Sequence, residues 1–185
     1  TTAGSLEMKT ASDSINLNAG QSFDVTFSVN AETSGFGGYL TYDNSVFTSV
    51  TVVVDGGTTS GKTDNNGEWK ASYNGYTHFL SVDYYKKDAA GNTTAQIADP
   101  VKVSGSSIAT LKFTSAKPVI KTDITFSPSY LRTNGSDVEL KTQKLTLTNS
   151  QAKTVTLSLG IVKGNGHISV PVYFSRNDGF NNFIQ

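Results

Sequence analysis

The chain has 185 residues, no cysteine, and 15 Lys and Arg balanced by 15 Asp and Glu, so its formal net charge is zero. That length builds one domain with a substantial core and leaves some chain to spare. The charge balance leaves no basic excess to neutralise phosphates, which argues against nucleic acid as the main partner. The missing cysteines exclude disulfide scaffolds, thiolate metal sites and cysteine nucleophiles. No basic amphipathic stretch points to a membrane surface. The longest apolar runs, such as Val50 to Val54, are far too short to span a bilayer. Abundant Thr, Ser, Asn and Gly without Cys fit a secreted or cell-surface bacterial protein.

In chain order, strand signals alternate with turn signals. The first strand is expected over Leu6–Thr10, followed by the turn Asn18-Ala19-Gly20. Phe23, Val25, Phe27 and Val29 then alternate with Asp24, Thr26 and Ser28, the pattern of a strand with one buried face. Further strands are predicted at Gly38–Tyr42, Phe47–Val54, Glu68–Tyr73 and Thr77–Tyr85. Asn74-Gly75, between the last two, reads as a two-residue hairpin turn. Lys86 to Gly105 is too polar and too long for a tight turn and reads as a surface excursion. Ser107–Thr114, Asp123–Ser127 and the alternating Leu145 and Leu147 complete the series. About nine short strands with frequent turns predict an all-β jelly-roll sandwich. Phe23, Val25, Phe27, Leu40, Leu111, Phe113 and Leu147 are its expected core.

The tail repeats the opening. Ile168 to Phe174 alternates in the same phase as Phe23 to Val29, and Gly179 to Ile184 parallels Gly35 to Leu40. Residues 1–149 are therefore expected to form one module, and 150–185 to be a linker with the opening strands of a second, truncated copy. A strand without its sheet seeks an edge, so the 155–185 stretch is expected to offer a route to self-association.

Catalytic chemistry finds little to build on. His78 and His167 are the only imidazoles, and neither a Gly-x-Ser-x-Gly elbow nor a His-Glu-x-x-His motif occurs. Glu68, beside Trp69, and Asp83 on the next hairpin strand could form a carboxylate pair, but they read as a solvated hairpin face rather than a glycosidase couple. Asp64-Asn65-Asn66-Gly67 offers oxygen ligands for calcium but lacks the spacing of a helix–loop–helix calcium loop, so no cofactor is expected. Aromatic residues are the stronger signal: Trp69, Tyr73, Tyr76, Phe79, Tyr84 and Tyr85 crowd one hairpin. Exposed aromatics anchor protein partners and stack on sugars.

Gly35 to Asp43 reads GFGGYLTYD and leads into Asn44-Ser45-Val46-Phe47; Thr77 to Asp83 reads THFLSVD; Ser104 to Phe113 reads SGSSIATLKF. This ordered series of segments resembles the cohesin modules of bacterial scaffolding proteins. The resemblance spans residues 5–149 and implies a nine-stranded, non-catalytic jelly roll that binds a dockerin, a small calcium-loaded helical module, through one flat sheet. The positions it implies for the partner are Tyr39, Thr41, Tyr73, Leu80 and Asp83. The family's polar pair before the Tyr-Asp strand falls where this chain has Gly35 to Gly38, so any dockerin-like partner is of a divergent type. Two alternatives stand beside it: a carbohydrate-binding module stacking polysaccharide on Trp69, Tyr73, Tyr76 and Tyr85, and a structural repeat of a surface adhesin.

Overall fold

A computed structural model describes residues 3–55, 59–60, 67–103, 107–135 and 137–152. The alternation in the sequence becomes fourteen strands among these residues: β1 (Gly4–Thr10), β2 (Ser14–Ile15), β3 (Ser22–Val29), β4 (Thr33–Thr41), β5 (Phe47–Val54), β6 (Thr59–Ser60), β7 (Gly67–Tyr73), β8 (Phe79–Lys87), β9 (Thr93–Ile97), β10 (Lys102–Val103), β11 (Ala109–Ser115), β12 (Lys121–Thr133), β13 (Val138–Glu139) and β14 (Gln143–Asn149). All lie in one compact unit, Thr1–Ser150. The tail readings, Ile168 to Phe174 included, lie outside the described residues.

One sheet runs β13-β1-β3-β11-β5, a second runs β2-β14-β12-β4-β8-β7 with β9 added on β8, and β6 pairs with β10 apart from these. Side chains from the inner faces of both sheets make a single core. Phe27 of β3 stacks on Phe36 of β4 at 5.5 Å and meets Phe126 of β12 edge-on at 5.0 Å. Val25, Phe27, Leu40, Leu111, Phe113 and Leu147 are buried as expected, and the half-buried Phe23 stacks on Phe113. Burying each such side chain contributes about 1.5–3 kcal/mol.

Three elements differ from expectation. β4 begins at Thr33, well before Gly38, because its glycines are strand residues and not a connection. β12 does not stop at Ser127 but continues to Thr133. Pro128 has no N–H to give, and the strand accommodates it at an irregularity in register against β4 between Pro128 and Tyr130. An extra residue in a strand reverses the facing of everything after it. Tyr130 and Arg132 thereby point outward, while Leu131 between them is buried. The β7–β8 connection runs from Asn74 to His78 and is no two-residue turn. The Asn74 side-chain oxygen accepts from the Tyr76 and Thr77 amides at 2.8 and 3.1 Å, and His78 closes the loop in the left-handed region at φ 60°. Within Lys86 to Gly105, Ala98 and Val101 are buried, and Val101 exchanges both backbone hydrogen bonds with Thr33 at 2.9 and 3.0 Å.

Candidate functional site

Register across the second sheet lays its outward side chains in rows. One row reads Lys70, Asp83, Gly35, Arg132 across β7, β8, β4 and β12. The next reads Ser72, Ser81, Gly37, Tyr130, and a third reads Phe79, Tyr39, Ser127. The two glycines leave a floor without side chains along the middle of the face.

Residues from both flanks close over that floor. Arg132 reaches across Gly35 to pair its Nη1 with Asp83 Oδ1. The Tyr130 ring lies across Gly37, and its hydroxyl donates to Asp83 at 2.9 Å. The Arg132 guanidinium sits 4.3 Å from the centre of the Tyr130 ring. Asp83 is thus buried on the outer face, with every partner a buried carboxylate requires. Desolvation first, and the hydrogen bond to Asp83 second, raise the Tyr130 phenol well above its ordinary pKa.

Beyond the floor is an aromatic ridge. Tyr39 is 50% exposed and meets Phe79 edge-to-face at 4.9 Å. On the other side lies an open groove of about 530 Å³, lined among others by Lys70, Ser72, Ser81, Tyr85 and Thr93. The face is therefore broad and shallow, with one apolar anchor and one polar depression. That suits a protein surface better than a small molecule, which deep enclosed pockets hold.

No protein-family model matches the sequence, and no curated protein does. Solved structures do. The cohesin–dockerin complex of type I from Clostridium thermocellum superposes with TM-score 0.50 at 11% identity, covering 80% of this chain and 96% of that one. The chain has the cohesin fold. A type II cohesin domain from the cellulosome of Acetivibrio cellulolyticus is similar with TM-score 0.47 at 14% identity, covering 79% and 95%. The protein CaCohA2 from Clostridium acetobutylicum is similar with TM-score 0.48 at 16% identity, covering 79% and 91%.

On this cohesin fold, Tyr39 and Thr41 both lie exposed on the outer face. Asp83 lies on the same face under Arg132 and Tyr130. Leu80 and Tyr73 do not belong there. They pair with each other across β7 and β8 on the inward side, Leu80 fully buried and Tyr73 bonded to the Tyr42 hydroxyl at 2.5 Å. The period of two decides this, because Leu80 shares the phase of Val82 and Tyr84, both in the core. The sugar-stacking set is corrected the same way. Trp69 points inward, 8% exposed, and stacks on Tyr84 at 5.1 Å. Tyr76 is 99% exposed at the hairpin tip, and Tyr85 lines the groove, so the four aromatics form no continuous platform.

Glu68 and Asp83 are each engaged elsewhere, Glu68 by the Thr93 hydroxyl and Asp83 by Arg132. His78 stacks flat on Tyr42 at 4.8 Å. Asp64, Asn65 and Asn66 lie outside the described residues, as does His167. Among the described residues no group of three or more His, Asp or Glu is arranged to hold a metal ion, and no helix is long and apolar enough to cross a membrane.

Burial, with the Tyr42 hydrogen bond, also raises the Tyr73 phenol well above its ordinary value. A phenol whose pKa is higher folded than unfolded keeps its proton in the native state after the unfolded chain has lost it. Its stabilising share is complete below about pH 10 and falls as pH rises beyond that. Urea unfolding measured from about pH 8 to about pH 11 should show stability level at first and declining above about pH 10. Tyr73→Phe and Tyr130→Phe should each flatten the decline; an unchanged slope in both would contradict the assignment.

Proposed function

We propose that this chain is a non-catalytic binding module of an extracellular bacterial scaffold or surface protein. Its partner is a dockerin-like protein, held on the outer face of the β14-β12-β4-β8-β7 sheet. The observation that carries the reading is the half-exposed Tyr39, supported by Phe79 and set on a shallow face where Tyr130 and Arg132 lie flat across Gly37 and Gly35. A rigid aromatic anchor on a shallow face is what a protein hot spot requires. The structure from Clostridium thermocellum, which shares the fold, is a complex of a cohesin with a dockerin. The carboxylate pair Glu68 and Asp83 and the one described imidazole, His78, are each engaged by other side chains, which supports a binding role over a catalytic one. With Trp69 turned into the core, the polysaccharide reading loses its main stacking surface.

The test is to assay the full chain against a panel of calcium-loaded dockerin modules and, in parallel, against insoluble polysaccharides. At least one dockerin should bind, and chelation of calcium should abolish binding through the partner. Tyr39→Ala should weaken it by about 2 kcal/mol, roughly thirtyfold. Retention on polysaccharide with no dockerin bound would overturn the reading.

A further inference from the structure

The Lys70–Asp83–Gly35–Arg132 row has an electrostatic consequence. Its single acid, Asp83, has a side chain only 9% exposed and is fully used by Arg132 and Tyr130. Its two cations remain accessible. The Arg132 side chain is 38% exposed, and Lys70 is exposed at the other end of the row, on the groove lip. Glu68, outside the row, is exposed, keeps its charge and accepts the Thr93 hydroxyl. The row therefore presents positive charge outward while its negative charge is covered.

Arg132 is also held in place. Asp83 grips one nitrogen and the Tyr130 ring supports the guanidinium plane, so most of the freedom that binding would cost has been removed in the fold. A guanidinium carries five N–H donors in a rigid fork. The contact to Asp83 engages Nη1 alone, and the exposed remainder matches a carboxylate arriving from above. Asp83 has no such role of its own, since its oxygens are already occupied.

Resting on the reading of this face as the partner-binding surface, we infer that Arg132 and Lys70 make the module selective for an acidic partner. An Asp or Glu side chain of that partner pairs with Arg132, and a second carboxylate meets Lys70 at the groove, while an apolar residue seats on Tyr39 and Phe79. Arg132 is the specificity-determining residue; Asp83 and Tyr130 position it.

The probe is a displayed library built on a calcium-loaded dockerin scaffold, its exposed helix positions randomised, selected on the full chain at physiological salt. Binders that fail on Tyr39→Ala are those using this face. They should be enriched in Asp and Glu, weaken at least tenfold on Arg132→Ala and severalfold on Lys70→Ala, and weaken as salt is raised. Arg132→Lys should recover only part of the loss, since it restores the charge without the fork. Lys70→Ala, on an exposed side chain, keeps the test valid if Arg132→Ala disturbs folding. Face-dependent binders that are neutral or basic, or indifferent to both cation variants, would overturn the inference and leave the face standing. Binders indifferent to Tyr39→Ala, or none at all, would count against the face itself and so remove both.

Discussion

Gly35→Ala is expected to destabilise the module by roughly 2–4 kcal/mol and to lower its melting temperature by about 5–15 °C. An added Cβ would press on the Asp83 carboxylate and lie 2.7 Å from the Val82 carbonyl oxygen and 2.9 Å from Arg132 Nη1. The carbonyl belongs to the paired backbone of β8 and cannot move away without breaking the sheet. The φ of +148° at Gly35 adds strain for any side chain. The Asp83–Arg132 pair would have to part, so partner binding should fall together with stability. Gly75→Ala is the control: nothing lies within 4 Å of its Cβ position, and the change should stay within about 0.5 kcal/mol of neutral. Thermal and urea melts of the two variants decide it. A Gly35→Ala protein as stable as Gly75→Ala would mean that the glycine floor is not required.

Phe27→Ala should cost more, about 3–5 kcal/mol. Phe27 is fully buried on β3, which pairs with both β1 and β11 in the middle of its sheet. Its ring reaches the opposite sheet at Phe36 and Phe126, so its loss opens a cavity at the junction of the two layers. A domain of this kind has a total stability of about 5–15 kcal/mol, and the variant should unfold at much lower urea or fail to accumulate. Val53→Ala, on a side chain 59% exposed, should change little. Near-equal unfolding midpoints for these two variants would contradict the packing described.

The sandwich was legible wherever one face is buried and the other wet. β3 shows it most plainly, with Val25 and Phe27 inside and Asp24 exposed. β5 spans the same residues, Phe47–Val54, that the alternation predicts. The first half of β4 was hidden because glycine ordinarily marks a turn, whereas here Gly35 and Gly37 make room for side chains from β8 and β12. The end of β12 was hidden by Pro128, and with it Tyr130 and Arg132. The signal that would have revealed them is the buried-looking Leu131 between two polar-tipped residues, once the shift of phase is allowed. At the site, alternation alone separates Tyr39 and Asp83, which face outward, from Leu80 and Trp69, which do not. The positions that the remote resemblance implies mix the two phases, because a one-residue displacement along a strand reverses the face. No local pattern could announce that Asp83 is covered, since its partners are nearly fifty residues away in sequence.

The most direct test of the account is a footprint of the bound partner on the isotopically labelled full chain, read by cross-saturation from a selected dockerin-scaffold binder. Saturation should reach the amides of Tyr39, Thr41, Ser127, Tyr130 and Arg132 and leave Thr26, Thr51 and Thr110, on the outward side of the other sheet, untouched. Transfer confined to those threonines, or to the Asn74–His78 tip alone, would contradict the assignment of the glycine-floored sheet as the binding face.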